Sequence, residues 1–324
     1  KYPSKKEEHI HYQIPESVTR IESNSFYGCC FESVHIPESV ISIGEGAFAH
    51  CYNLTEVNLP TNLEVISDRL FECCALNEIV IPENVYYIGN NAFCGCHISS
   101  IVIPASVSYI GVHAFSRCLK LVKVRLPDGI EELNNGIFSG CPELSDINFP
   151  ADLKIIGQYA FGACRNLQFV SISEKVEHIG VNSFDGCNFN CSLVVSNDNK
   201  WYRCDEYGGL IYNNSELIRV FNPDIKEYVV AENIEYIHFN AFSECAGLRL
   251  IVVSGELRVL NEWIKFVDKL PEKYIESGRF ARMYPDGIRE PGFDGGIYFE
   301  KNDIMALPDA QWRDYAVIGF VTMV

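Results

Sequence analysis

The sequence has no run of about 18 consecutive apolar residues, the length that a membrane-spanning helix needs. The longest apolar stretch near its end, Tyr315 to Val324, is about half that length. Basic residues are also few: 26 Lys and Arg stand against 43 Asp and Glu, and the formal net charge is −17. Nucleic acids and anionic lipids are bound chiefly through clustered Lys and Arg. The sequence therefore predicts a folded chain with no membrane insertion and no nucleic acid partner.

What the sequence contains instead is a repeat of 22 or 23 residues. Its markers are a phenylalanine, a cysteine three residues later, and an isoleucine or leucine five residues earlier, in the consensus I-P-x-x-V-x-x-I-x-x-x-A-F-x-x-C-x-x-L-x-x-V-x. The phenylalanines are Phe26, Phe48, Phe71, Phe93, Phe115, Phe138, Phe161, Phe184 and the displaced copy Phe242. The cysteines are Cys29, Cys51, Cys74, Cys96, Cys118, Cys141, Cys164, Cys187 and Cys245.

Apolar residues at fixed places in successive repeats can all be buried only if the chain coils, so that each place stacks on its copy in the next turn. The L-x-x-V-x-[IL]-P stretch predicts a short strand that lies parallel to its neighbours. The proline ends the ladder because it has no N–H to donate. A glycine follows the repeated isoleucine or its equivalent in several repeats, where we expect a tight corner with a positive φ. These glycines are Gly44, Gly89, Gly111, Gly157 and Gly180.

Motifs of catalysis and cofactor binding are missing, since H-E-x-x-H, G-x-S-x-G and a Walker loop do not occur. Cys94-Gly95-Cys96-His97 looks like part of a zinc site but has no second ligand pair at zinc-finger spacing. The stretch from Gly44 to Ala49 mimics a dinucleotide fingerprint, which requires a strand-to-helix turn, whereas its Phe48 is a repeat position. We predict no enzymatic activity, no cofactor and no metal.

The A-F-x-x-C-x-x-L signature resembles the BspA-like leucine-rich repeats of bacterial cell-surface proteins, over residues 14 to 253. We accordingly predict a leucine-rich-repeat right-handed solenoid with one parallel β-sheet face and short turns on the other side. The resemblance also implies a β-hairpin-like insertion before the repeats resume, matched here by Asn199 to Tyr202, Gly208 to Tyr212 and Leu217-Ile218. Ala231 then stands where a proline is expected.

Five regions follow from this pattern: an N-terminal flank (1–13), repeats one to eight (14–195), the insertion (196–229), a ninth repeat (230–254) and a non-repeat cap (255–324). The cap begins with apolar residues at helical spacing, so we expect it to be mainly helical. Because its end is apolar, we expect the natural chain to continue beyond Val324. The residues at helical spacing are Leu257, Leu260, Ile264, Val267 and Leu270.

The fourteen cysteines invite a disulfide interpretation, but nine of them share one repeat position. Stacked copies would lie at the strand spacing of ~4.8 Å, whereas a disulfide needs Cβ atoms about 3.5–4.5 Å apart with crossed geometry. We predict a ladder of buried free thiols, which fits a reducing or anaerobic habitat. Cys191 and Cys204 flank the insertion strands, and a disulfide between them remains open.

Side chains that alternate with the buried ones in each strand form an exposed face. Seven rungs at ~4.8 Å span roughly 30 Å, which suits a protein surface or an extended glycan better than a metabolite. A hot spot is expected at the basic pair Lys123 and Arg125 together with Phe169, and Trp201 with Tyr202 on the insertion is a second candidate. The alternative is that these candidates are ordinary strand residues, solvated or packed at an edge, with no role in binding. The face comprises Ser33, His35, Glu56, Asn58, Glu78, Val80, Ser100, Val102, Lys123, Arg125, Asp146, Asn148, Phe169 and Ser171.

The resemblance implies a non-enzymatic module that binds a protein or glycan, in adhesion or host interaction, at the cell surface or in secreted form. The alternative is an intracellular or periplasmic scaffold whose repeats space a further C-terminal domain. The free thiols favour this second, cytoplasmic or periplasmic interpretation. The identity of the ligand does not follow from the sequence.

Overall fold

The computed structural model describes residues 11–180, 182–187, 192–238, 241–242, 245, 248, 250–254 and 296–300. These residues form short strands and turns, and no helix occurs among them. The chain divides into two compact units, residues 1–188 and 189–324. The strands of the first unit are β1 (His11–Gln13), β2 (Arg20–Ile21), β3 (Ser33–His35), β4 (Ser42–Ile43), β5 (Glu56–Val57), β6 (Val65–Ile66), β7 (Tyr87–Ile88), β8 (Ser100–Val102), β9 (Tyr109–Ile110), β10 (Lys123–Arg125), β11 (Glu132–Leu133), β12 (Asp146–Ile147), β13 (Ile155–Ile156), β14 (Phe169–Ile172) and β15 (His178–Ile179).

Most L-x-x-V-x stretches of the first unit form parallel strands, which confirms the predicted parallel β-solenoid. Strands β1, β3 and β5 make one parallel sheet, and β8, β10 and β12 make another. The equivalent stretch at 78–80 is not a strand and separates the two sheets. We call the outward side chains of these strands, of β14 and of residues 78–80 the first strand face. Strand β1 lies within the predicted flank and pairs with the first repeat.

A second set of strands contradicts the prediction that only turns lie away from the first strand face. Two-residue strands at the x-I positions form parallel ladders in the groups β2-β4, β6-β7-β9 and β11-β13-β15. Their second residue is an isoleucine or leucine that packs inward, and their first residue points outward. We call these outward residues, with the residue before each, the second strand face. A ladder forms at the x-I dipeptide because the dipeptide recurs in each repeat, so that its backbone lies against an equivalent backbone one rung away.

The interior of the first unit is built from two ladders that run from rung to rung. The repeated phenylalanine rings stack on one another with centroids 5.2–5.9 Å apart. Each ladder thiol from the second rung onward donates to the carbonyl oxygen of a phenylalanine in the preceding rung. For example, Cys96 Sγ lies 3.2 Å from Phe71 O and Cys118 Sγ lies 3.2 Å from Phe93 O. The prediction of buried free thiols is therefore confirmed for the repeat position, apart from Cys29, which is half-buried where the ladder begins.

The fold favours glycine after the repeated isoleucine for a reason other than the predicted positive φ. A Cβ added to Gly111 would lie 2.5 Å from the backbone nitrogen of Asn90 in the preceding rung, and Gly44, Gly89, Gly157 and Gly180 are crowded in the same way. The positive φ angles fall instead on the residues two before and two after each phenylalanine, such as Asn91 and Gly95 around Phe93. The predicted reason was wrong: these glycines permit close approach of two backbones.

At two corners of the first unit where the residue is not glycine, its side chain takes over a hydrogen bond. The N–H of Gly111 donates to Ile88 O at 2.8 Å, one rung earlier. At the equivalent corners, the hydroxyl of Ser67 donates to Ile43 O at 2.5 Å and the amide of Asn134 donates to Ile110 O at 2.7 Å. The carbonyl of the preceding rung is satisfied in every case, as a buried acceptor requires.

The second unit contains β16 (Ser192–Val195), β17 (Tyr202–Cys204), β18 (Gly209–Tyr212), β19 (Glu216–Val220), β20 (Glu227–Val230), β21 (Tyr236–Ile237), β22 (Leu250–Ser254) and β23 (Gly296–Glu300). Strands β17, β18 and β19 form an antiparallel meander within the expected insertion. Strand β19 pairs in parallel with β21, and β20 pairs in parallel with β22, so the parallel ladder resumes as the repeat predicts. The hydroxyl of Tyr228 donates to the carboxylate of Asp205, which also accepts the N–H of Gly209 at 2.7 Å.

The helix expected over residues 257–270 and the last segment, 301–324, lie outside the described residues, as does Cys191. Strand β23 is antiparallel to β22, a pairing that the loop-rich sequence around it did not predict. Cys204 is a free thiol, and burial raises its pKa to about 11.

We expect Gly111→Ala to lower the free energy of unfolding by roughly 1–3 kcal/mol, the usual effect of forced overpacking. The added methyl group would press on the backbone of the preceding rung. The matched control is Gly129→Ala, because a Cβ at Gly129 meets nothing within 4 Å. Urea unfolding followed by circular dichroism measures both. Equal losses for the two variants would contradict the close-approach explanation.

The thiol ladder predicts a loss of stability at alkaline pH. Burial raises the pKa of Cys96 and Cys164 well above that of an exposed thiol, so the unfolded chain loses these protons first. Stability is therefore fully present below about pH 8.5, the pKa of an exposed thiol, and falls as pH rises above it. The slope approaches about 1.4 kcal/mol per pH unit for each such thiol.

The measurement is the Tm between neutral and alkaline pH in the presence of a thiol reductant. Cys96→Ala should lower the Tm at neutral pH, because it removes the bond to Phe71, and should make the alkaline decline shallower. A decline of unchanged steepness in this variant would show that other groups cause it.

Candidate functional site

The first strand face brings the fourteen predicted residues into two columns, one for each outward position of the strand. Parallel pairing places Ser100, Lys123 and Asp146 in consecutive rungs of one column, and Val102 beside Arg125 in the other. Most of the fourteen are exposed, and the half-buried ones are Ser33, Asn58, Arg125, Asn148 and Ser171. The face therefore exists as a continuous series of side chains within each sheet, although its members differ in what they contact.

Asn58 and Asn148 are used by the fold itself. The amide oxygen of Asn58 accepts the N–H of Ile36 at 3.0 Å, and its nitrogen donates to Ile36 O at 2.7 Å. Asn148 makes the same pair of bonds to Leu126, at 2.8 Å each. Each amide thus extends the ladder between rungs at the point where a proline follows and backbone pairing stops. The recurrence of asparagine two residues before a proline was the available sequence signal.

The basic pair converges on one carboxylate. Arg125 Nη2 lies 2.7 Å from both carboxylate oxygens of Asp146, and Lys123 Nζ lies 3.5 Å from one of them. The hydrogen bond from Arg125 lowers the pKa of the Asp146 carboxyl below its usual value. The pair therefore carries one net positive charge rather than two, and the guanidinium is held in a fixed orientation by bidentate pairing.

Two valines are the most exposed large apolar side chains on the first strand face. Val80 is 84% exposed and Val102 is 68% exposed, in adjacent rungs. Phe169 is also exposed. The register places Val102 beside Arg125, and Val80 occupies the equivalent position one repeat earlier.

The second predicted candidate, Trp201 with Tyr202, does not form one exposed site. Trp201 is exposed, but Tyr202 is only 5% exposed and its ring lies 5.2 Å from that of Tyr212. Both backbone N–H groups donate to the side chain of Asn199, at 2.8 and 2.7 Å. Tyr202 therefore belongs to the core of the meander, and Trp201 alone is available for contacts.

The sequence analysis missed a group of exposed apolar and aromatic residues on the second strand face. They occupy the outward positions of four consecutive rungs, and the rings of Tyr87 and Tyr109 stack at 4.9 Å. The sequence signal was the clustering of aromatic residues immediately before the repeated isoleucine. The group comprises Ile41, Val65, Tyr86, Tyr87 and Tyr109.

No three His, Cys, Asp or Glu side chains gather to hold a metal ion within the part of the chain that the structure describes. In the same residues, no helix is long and apolar enough to cross a membrane.

The Arg125–Asp146 pairing predicts how the carboxyl of Asp146 titrates. We expect its pKa, measured by carbon-detected NMR, to lie below that of an exposed aspartate and to rise in Arg125→Gln, because the charged hydrogen bond that favours the carboxylate is lost. Lys123→Gln should raise it less, because Lys123 lies farther from the carboxylate. An identical shift in the two variants would show that proximity of charge, not the bidentate contact, controls Asp146.

Several solved structures are similar to parts of this chain. A crystal structure of a leucine-rich repeat protein from Bacteroides ovatus is similar over 77% of this chain and 82% of that chain, with 24% identity and a TM-score of 0.47. The leucine-rich repeat protein of T. pallidum is 31% identical over 55% of this chain and 77% of that chain, with a TM-score of 0.44. A leucine-rich cell surface protein from Faecalibacterium prausnitzii is 17% identical over 78% of this chain and 89% of that chain, with a TM-score of 0.32.

Among curated proteins, none matches this chain. The family model of the BspA type leucine-rich repeat region matches six copies, over residues 5–118, 86–203 and 220–266. These matches cover most of the chain. The chain therefore belongs to the BspA-type leucine-rich repeat family.

Proposed function

We propose that this chain is a non-enzymatic binding module that uses its first strand face to bind a partner, in adhesion or in interaction with host or bacterial cells. The observation that carries the proposal is the exposure of Val80 and Val102 in adjacent rungs beside Arg125. The family model that matches the chain describes repeats and indicates no enzyme.

The chemistry of this surface favours a protein ligand over a glycan. Protein interfaces combine a desolvated apolar centre with arginine, which recurs where binding energy concentrates. Here the valines supply the apolar centre, and the bidentate contact to Asp146 fixes the guanidinium before binding, so little side-chain entropy is lost on association. Glu56 and Glu78 add negative charge to the same face. The best match is therefore a partner protein that carries both positive and negative side chains around an apolar patch.

The adhesion proposal includes a location at the bacterial cell surface or in secreted form, and this location rests on the family resemblance. The alternative proposal is an intracellular or periplasmic scaffold, in which the repeats are a rigid spacer for a further domain. The specific observation in favour of its intracellular form is the large number of free thiols, including the exposed Cys30, since oxidising compartments convert exposed thiols. Binding through the first strand face separates the two proposals, because a spacer needs no ligand there.

The test is binding of the full chain to an array of extracellular-matrix proteins and glycans at physiological salt. We expect at least one protein to bind, and we expect Val80→Ser/Val102→Ser to weaken that binding by about tenfold or more, as loss of a hot spot does. Lys123→Glu/Arg125→Glu should also weaken it, because both charges are reversed. Because the valine side chains are exposed, Val80→Ser/Val102→Ser should keep the Tm of the parent protein.

Leu119→Ser is the matched control, because it removes an exposed aliphatic side chain from a turn that belongs to neither strand face. It should leave binding to the array unchanged. Absence of any ligand for the parent would favour the spacer, and equal losses in the control and the valine variant would remove the first strand face from the proposal.

A further inference from the structure

The second strand face carries a cluster of apolar and aromatic side chains in four consecutive rungs. We call Ile41, Val65, Tyr86, Tyr87 and Tyr109 the tyrosine strip. Ile41 is 62% exposed and Tyr86 is 49% exposed, while Val65 and Tyr87 are half-buried between them. Register pairs Val65 with Tyr87 and Tyr87 with Tyr109, so the strip continues from one rung to the next. Clustered apolar side chains of this size are a mark of interaction surfaces.

The stacking of the tyrosines restricts what can bind them. The rings of Tyr87 and Tyr109 are nearly parallel, with centroids 4.9 Å apart and an interplanar angle of 9°. The surfaces that face each other are covered, and Val65 lies in the rung on the other side of Tyr87. The ring edges, the hydroxyl groups and the outer side of Tyr109, which is 37% exposed, remain for a partner. A long aliphatic chain with a polar tip can lie along the edges and donate to a phenolic oxygen, as Lys and Arg side chains do.

The charges around the strip are acidic. Glu64 occupies the position of Tyr86 in the preceding rung, and the N–H of Tyr86 donates to Glu64 O at 3.0 Å. Glu132 occupies the position of Tyr109 in the following rung. Asp68 lies near Tyr87 and contributes, after burial, to raising the pKa of its hydroxyl. Glu64 and Glu132 form no ion pair with any described residue.

The nearest basic residues of this face are already paired. Lys154 lies one rung beyond Glu132 and contacts Glu131 at 2.8 Å. Arg20 lies one rung before Ile41 and contacts Glu22 at 3.9 Å. The tyrosine strip therefore combines hydrophobic contact area, phenolic acceptors and unpaired carboxylates, and it offers no cation of its own.

We propose that the tyrosine strip is a docking surface for a cationic, Arg- or Lys-rich segment of a partner protein, separate from the first strand face. The aliphatic stems of the cationic side chains pack along the tyrosine edges, and their charged ends reach Glu64 and Glu132, whereas both carboxylate oxygens of Asp68 already accept hydrogen bonds from Asn90. A second copy of this chain is a poor occupant, because its net charge of −17 is the same as that of the chain it would meet. One solenoid would thus contact two different partners through its two strand faces.

The probe is a fluorescein-labelled oligoarginine peptide, with an oligoglutamate peptide as the charge control, titrated with the full chain at physiological salt. We expect anisotropy to show binding of oligoarginine alone. Tyr87→Ser/Tyr109→Ser should weaken it by at least about tenfold. The substitution is conservative for the fold because Ser42 occupies the same outward position two rungs before Tyr87.

Two charge variants separate a docking surface from general attraction to an acidic chain. Glu64→Gln/Glu132→Gln removes two charges beside the strip and should weaken binding severalfold. Glu16→Gln/Glu174→Gln removes the same charge from two exposed turn positions elsewhere and should leave the affinity within about twofold, as screening at physiological salt predicts. Val80→Ser/Val102→Ser should also leave it unchanged, so that the outcome is independent of the function proposed for the first strand face.

The proposal is overturned if the parent fails to bind oligoarginine, if oligoglutamate binds equally, or if the two charge variants lose affinity to the same extent. Tm and circular dichroism establish that each variant is folded. If the tyrosine variant unfolds, the two glutamate pairs, which change only exposed side chains, decide the result.

Discussion

The structure of this chain depends on one constraint, the repeated approach of each rung to the next at the spacing of a parallel β-ladder, ~4.8 Å. A rung contacts only its neighbours, so a residue at a given inward position must fit against its own copy. Phenylalanine stacks on phenylalanine, and a thiol reaches the carbonyl of the rung before it. The glycine corner shows the limit most directly, because even a methyl group at Gly111 would meet the backbone of Asn90.

Departures from the repeat show that the hydrogen bond, more than the residue type, is what each corner must retain. Ser67 and Asn134 replace glycine at the corner, and each supplies a side-chain donor to the carbonyl below. Asn58 and Asn148 do the same at the end of the first-face strand, where the following proline prevents backbone pairing. Buried carbonyls without a partner are costly, and this cost explains why polar residues appear at positions that otherwise carry glycine or an arbitrary exposed side chain.

Outward positions are free of the stacking constraint, and the chain uses them differently on its two strand faces. The first strand face has exposed valines beside a fixed Arg125–Asp146 pair, whereas the second has stacked tyrosines between carboxylates. Neither arrangement is needed for the interior, because other rungs carry Ser, Glu or His at the same outward positions. Surfaces that the fold does not require are the natural place for recognition in a protein of this kind.

The sequence by itself determined the solenoid, the inward residues, the free-thiol ladder and the strands of the first strand face, because a fixed period leaves only one way to bury every copy. It also placed the outward residues in their columns. Only the tertiary structure decided that the x-I dipeptides form a second set of ladders, that the corner glycines permit close approach, and that Tyr202 is buried. It alone showed that Lys123 and Arg125 share Asp146 and that Asn58 and Asn148 bond to the backbone. Tyr202 is buried by contacts within the antiparallel meander, which has no repeat. The other features depend on contacts between residues about one repeat apart, and the period specifies which residues are neighbours without specifying how their side chains meet.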